Sequence, residues 1–200
     1  MNLPNKLTVF RIILVPIMVI IPFFNIGGEW LGVPTYLWII NAIFCLASLT
    51  DKLDGTLARK WNQVTTLGKF LDPIADKILV LAAMLMLVEM GNLPAWIPII
   101  ILMREFAVSG YRLIAVEKGG KVIAASIWGK LKTVTQIIAI IFAFININNT
   151  NKFFAFTTGN LTGASLVINI ITSVMMIICV IATIFSGIDY LKGGKELLKD

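Results

Sequence analysis

Residues 50–77 read TDKLDGTLARKWNQVTTLGKFLDPIADK, and four of their side chains, Asp51, Asp54, Asp72 and Asp76, are carboxylates. The chain has only 11 acidic residues in 200, so more than a third of them fall between two long apolar stretches. Their placement raises the question of what offsets the repulsion among them.

The composition sets the surroundings. The chain is 58% hydrophobic and 14% charged, with a mean hydropathy of +0.90, far more apolar than an ordinary soluble domain. Uncharged runs cover 12–28, 30–50, 90–103, 133–151 and 153–188. About 20 apolar residues cross a bilayer as a helix. The pattern predicts an all-α polytopic membrane protein of six transmembrane helices with a short amphipathic N-terminal segment, forming a single domain over 1–200. The spans are expected at about 7–26, 36–59, 68–90, 94–117, 126–147 and 162–188. The polar TTGNLT, 157–162, is expected to be a loop, and the Asn-rich 146–151 to end the fifth helix. The amino terminus lacks a small-residue cleavage site, so it is expected to stay in the mature protein.

Charge supports this division. Six spans place sixteen of the 17 Lys and Arg residues on one side, with Lys152 opposite. The positive-inside rule makes the crowded side cytoplasmic, so both termini and the aspartate cluster are expected there. Trp30, Trp38 and Trp96 fall near the other interface. The net charge of +6 belongs to residues flanking membrane segments, with no aromatic-interleaved patch. Anionic lipid therefore explains it better than nucleic acid. The chain has no histidine, which excludes His-based triads and His metal sites. Cys45 and Cys179 lie in apolar segments without a CxxC grouping and read as packing thiols.

Asp51 and Asp54 are three residues apart, and Asp72 and Asp76 four apart, so each pair shares one helix face. Each charge costs up to about 3 kcal/mol at bilayer depth. Two arrangements would offset that. One is an interfacial salt-bridge ring using Lys52, Arg59, Lys69 and Lys77. The other is a hard divalent cation with phosphate, for which carboxylates are suitable ligands. Gly55 and Gly68 lie beside the carboxylates, where glycine permits close approach to a ligand.

Written as Asp51-x2-Asp54-Gly55-x2-Ala58-Arg59-x8-Gly68-x3-Asp72-x3-Asp76, the stretch resembles the signature of the CDP-alcohol phosphatidyltransferase family, with every fixed position filled. The family consists of six-helix membrane enzymes, usually homodimers. The resemblance implies that Asp51, Asp54, Asp72 and Asp76 hold two divalent ions, Mg²⁺ or Mn²⁺. It implies that Asp54, Gly55, Ala58, Arg59 and Gly68 bind the CDP-lipid, and that Asp76 is the general base for the acceptor hydroxyl.

The stretches NLPNKLTVFRIILVP and 104–136 are similar to bacterial phosphatidylglycerophosphate synthases within that family. This implies transfer of the phosphatidyl group from CDP-diacylglycerol to glycerol 3-phosphate, with release of CMP, in phospholipid synthesis. An inositol phosphate, serine or a lipid is the alternative acceptor. Arg104 and Glu105 fall within a span, where charges are rare and usually functional. Arg suits bidentate phosphate contact, so Arg104, Arg112 and Lys130 are the candidate acceptor-phosphate residues, with Lys132 behind them. Against this, Arg104 could pair with Glu105, and the lysines could face headgroups. Asn5, Thr8 and Arg11 match a polar face of the family's amino-terminal segment, and capping or anchoring is the alternative role. A prenyltransferase would be expected to carry two separate Asp-rich motifs, and a cation channel would carry acids deep in its spans.

Overall fold

The computed structural model describes residues 3–24, 26–60, 66–117 and 127–193; at 3–4, 51–60, 66–70, 72–73, 113, 115–117, 191 and 193 the description is of the backbone. Six helices dominate: α1 Leu3–Ile20, α2 Thr35–Lys60, α3 Thr66–Glu89, α4 Trp96–Glu117, α5 Ile127–Phe144 and α6 Gly163–Gly193. Among the described residues, the polar amino-terminal turn is continuous with α1 rather than a separate segment. The α-helix closes at Ile20 into a 3₁₀ turn, Ile21–Phe24. Pro22 explains this, because it donates no N–H and disfavours α geometry at the residue before it.

The break expected between the first two helices contains a small hairpin. Strands β1 Glu29–Trp30 and β2 Val33–Pro34 pair antiparallel. The two turn residues, Leu31 and Gly32, both have positive φ, 56° and 75°, as tight hairpin turns require. Gly32 is needed for a second reason. A Cβ there would meet Ile147 Cγ2 at 3.0 Å, and the Gly32 carbonyl accepts from Asn148 N at 2.7 Å. The Trp38 indole donates to the Trp30 carbonyl at 3.1 Å, which fixes the aromatic pair at this end.

The Asn-rich segment ends α5 as expected, and here asparagine replaces water for the freed backbone groups. Asn148 and Asn149 take positive φ, which asparagine tolerates better than most residues. Asn151 Nδ2 donates to the Phe142 carbonyl at 2.9 Å, and Asn146 Oδ1 accepts from Asn151 N at 2.7 Å. Asn169, fully buried on α6, donates to Asn151 Oδ1 at 2.9 Å and to the Lys152 carbonyl at 2.7 Å. Its own oxygen accepts from Phe156 N at 2.9 Å. One side chain thus ties α6 to the loop that follows α5.

The core is apolar and continuous. Met18, Ile40, Phe44, Leu87, Ile97, Ile140, Phe144 and Met176 are fully buried, with the Phe44 and Phe144 rings 6.5 Å apart. Large apolar side chains such as Ile13, Leu49, Phe106, Val134 and Phe185 face outward, so the helices are apolar on both faces, as lipid-immersed helices are. The heaviest packing is α5 on α6, followed by α1 on α2 and on α3. Among the described residues, α2 and α3 touch each other far less than each touches α1.

By length and composition, three helical segments can cross a membrane: Asn5–Phe24, Ile127–Phe144 and Gly163–Tyr190. They make this a polytopic membrane protein. The other three helices carry four or five charged residues each, against two each on α1, α5 and α6, and these include Asp76 and Lys77 on α3 and Arg104, Glu105 and Arg112 on α4. Those charges lower the hydropathy of the helices that bear them, so composition singles out half of the six expected spans.

Asn169→Leu should uncouple the loop after α5 from α6. Each buried group it leaves unpaired costs about 1–3 kcal/mol, so the midpoint of thermal unfolding in detergent should fall by roughly 5–10 °C. An unchanged midpoint would show that the asparagine network does not hold this end together.

Candidate active site

The backbone places Asp51 and Asp54 in the closing turns of α2 and Asp72 and Asp76 in the opening half of α3. The side chains of Asp51, Asp54, Gly55, Ala58, Arg59, Gly68 and Asp72 lie outside the described residues. Asp76 is described, and it lines a cavity of about 240 Å³.

Helices α2 to α6 all contribute to the wall. Ser48 comes from α2, one turn before Asp51, and its buried Oγ has no hydrogen-bond partner among the described residues. Asp76 and Lys77 come from α3, Arg104, Glu105 and Arg112 from α4, Lys132 from α5 and Tyr190 from α6. Deeper in, Leu79, Met84, Ile101 and Ile137 close the floor. Among the described residues, the lining carries four basic and two acidic side chains.

Glu105 organises the cations. Its Oε1 accepts from Arg104 Nη1 at 3.3 Å and from the Lys132 ammonium. Arg104 also donates through Nη2 to Ser186 Oγ on α6, and Lys77 donates to Ser109 Oγ on α4. These contacts supply the partners that charges need away from water. Arg104 Nε nevertheless remains buried without a hydrogen-bond partner among the described residues.

Arg104 and Arg112 are eight residues apart, about 12 Å along the helix. The structure brings their head groups to one ring: the guanidinium carbons lie 5.4 and 5.5 Å from the centroid of Tyr190. Arg112 Nη2 also donates to the Tyr190 hydroxyl at 2.6 Å. Both arginines proposed from the sequence therefore belong to the same cavity wall.

The two lysines exchange rank. Lys132 is buried, 6% exposed, and lines the cavity. Lys130 is exposed and outside the lining. Two residues turn a helix by about 200°, so these side chains cannot share a face. The pairing of Arg104 with Glu105 exists, but it uses only part of the guanidinium. Asn5, Thr8 and Arg11 are buried on the inner side of α1, which packs on α2 and α3, and they do not line the cavity. Tyr190 and Ser186 were not among the expected site residues. An isolated tyrosine and serine near the end of a long apolar helix carry no motif; their role is visible only once α6 packs on α4.

The chain matches a family model described as CDP-alcohol phosphatidyltransferase over residues 1–185. It is 49% identical over 146 residues to the CDP-diacylglycerol–glycerol-3-phosphate 3-phosphatidyltransferase of Bacillus subtilis (strain 168), covering 70% of this chain and 74% of that protein. The Haemophilus influenzae protein of the same name is 37% identical over 203 residues, covering 100% of this chain and 96% of its own. A Mycobacterium tuberculosis protein, named a probable phosphatidylglycerophosphate synthase, is 36% identical over 189 residues, covering 94% of this chain and 79% of its own. A family match over nearly the whole length, with the acidic signature complete and Asp76 at a cation-lined cavity, means that this chain belongs to the CDP-alcohol phosphatidyltransferase family.

Proposed function

We propose that this chain moves the phosphatidyl group from CDP-diacylglycerol to glycerol 3-phosphate, giving phosphatidylglycerophosphate and CMP. The observation that carries the reading is that Asp76 shares one cavity with Lys77, Arg104, Arg112 and Lys132. A carboxylate able to take a proton thus faces a basic wall able to hold a phosphorylated alcohol. The names of the relatives supply the two substrates.

The family is generally dependent on divalent metal. The donor set in this chain, four carboxylates from the facing ends of α2 and α3, is hard oxygen chemistry suited to Mg²⁺ or Mn²⁺. In this reading Asp51, Asp54, Asp72 and Asp76 hold two ions. When bound, such ions neutralise the diphosphate and stabilise the departing oxygen. The cations on α3, α4 and α5 orient the acceptor, with Lys132 in the place first given to Lys130. Asp76 takes the proton from the acceptor hydroxyl. The new bond forms between that oxygen and the phosphorus of the phosphatidyl group, and the bond to CMP breaks. The apolar floor excludes water, which would otherwise compete as acceptor.

The same reading places all six helices across the bilayer. α2, α3 and α4 have 26, 24 and 22 residues, about 39, 36 and 33 Å of helix, enough for a hydrocarbon core of about 30 Å. The cavity and both termini then face the cytoplasm, where the basic residues gather.

Purified protein with labelled CDP-diacylglycerol should yield CMP and a lipid phosphomonoester from glycerol 3-phosphate. Product from serine or an inositol phosphate alone would redirect the assignment. Asp76→Asn should reduce kcat by about 10²–10⁴-fold without lowering the thermal midpoint, and near-normal turnover would remove the general base from this account. Lys132→Ala should raise KM for glycerol 3-phosphate by about 10–100-fold. Lys130→Ala should leave it within about twofold, since exposed charges contribute little.

A further inference from the structure

Tyr190 is 3% exposed, yet it lies near the end of α6, a mostly apolar helix, and it lines the cavity that Asp76 also lines. Two cations from α4 meet its ring, and one of them also meets its hydroxyl. Like charges drawn toward one point repel by about 1–4 kcal/mol at close range near a protein surface. Something must hold Arg104 and Arg112 together across two turns of α4. The ring face attracts a guanidinium by about 0.5–2 kcal/mol for each contact, and the hydroxyl adds an acceptor. Ser186, one turn earlier on α6, takes Arg104 Nη2. α6 therefore acts as a backboard for α4. The small buried cluster of Val108, Tyr111 and Tyr190 sets the ring in place.

This arrangement occupies the guanidinium faces and some of their donors, Arg104 Nη1 and Nη2 and Arg112 Nη2, and leaves Arg104 Nε without a partner among the described residues. Both arginines line the cavity. We infer that Tyr190 is a positioning residue that gathers Arg104 and Arg112 into one receptor for the phosphate monoester of the acceptor. The inference rests on the proposed acceptor site and adds the element that makes two distant arginines act on a single dianion. Its mark on kinetics is specific. Losing it weakens the acceptor but not CDP-diacylglycerol, because the contacts described for it with charged residues of the wall are to Arg104 and Arg112.

The test uses full-length protein in detergent or vesicles, with KM measured separately for each substrate and inorganic phosphate as a competing anion. Tyr190→Phe keeps the ring and loses the hydroxyl, so KM for glycerol 3-phosphate should rise by about 2–10-fold. Tyr190→Leu loses both, and the rise should reach about 10–100-fold. The inhibition constant of phosphate should weaken in the same order, while KM for CDP-diacylglycerol stays within about twofold. Equal damage to both KM values, or unchanged acceptor KM in Tyr190→Phe and Tyr190→Leu alike, would overturn the inference. Should Tyr190→Leu not fold, the phosphate inhibition constant of Tyr190→Phe decides: no weakening refutes it. Arg112→Ala separates the two readings. If it leaves acceptor KM unchanged, the acceptor site itself is wrong; if it raises KM while the Tyr190 variants do not, only the role of Tyr190 fails.

Discussion

Arg104, Glu105 and Lys132 lie inside an apolar helical bundle, where an ionised group without a partner costs about 3 kcal/mol or more. That constraint shapes how α4, α5 and α6 pack. Glu105 offers one oxygen to two cations on two helices, and α6 receives Arg104 on Ser186 and Tyr190. The charges hold their helices in register because none can move without losing a partner. Among the described residues of the cavity lining, basic side chains outnumber acidic ones.

The two ends of the bundle solve the same problem by different means. At one end, freed backbone groups of α5 and the following loop are met by asparagine side chains, with Asn169 reaching from α6. This is neutral hydrogen bonding, and it ties the loop to the helix. At the other end the groups are ionised and line a cavity.

Much of this was legible in the chain before any folding. Long uncharged runs marked the helices, because only apolar residues tolerate the bilayer core, and the Gly, Pro and Asn clusters marked the breaks. Spacings of three and four put the aspartates on shared helix faces, because a helix turns every 3.6 residues. Composition could not separate Lys130 from Lys132, although the same helical period puts them on different sides; which side faces inward depends on how α5 packs on α6. The hairpin at Leu31–Gly32 was also hidden, since its positive φ values are stabilised by contact with Ile147 and Asn148, more than a hundred residues away.

By itself, the sequence determined the class of protein and the family signature with its four aspartates. These depend on local spacing and on transfer from water to lipid. Tertiary structure decided which cations share a cavity, that two arginines about 12 Å apart along α4 converge on one tyrosine, and that α6 takes part in the cavity wall at all. Those outcomes depend on contacts between residues 82 and 78 positions apart, and no spacing rule along a single helix encodes them.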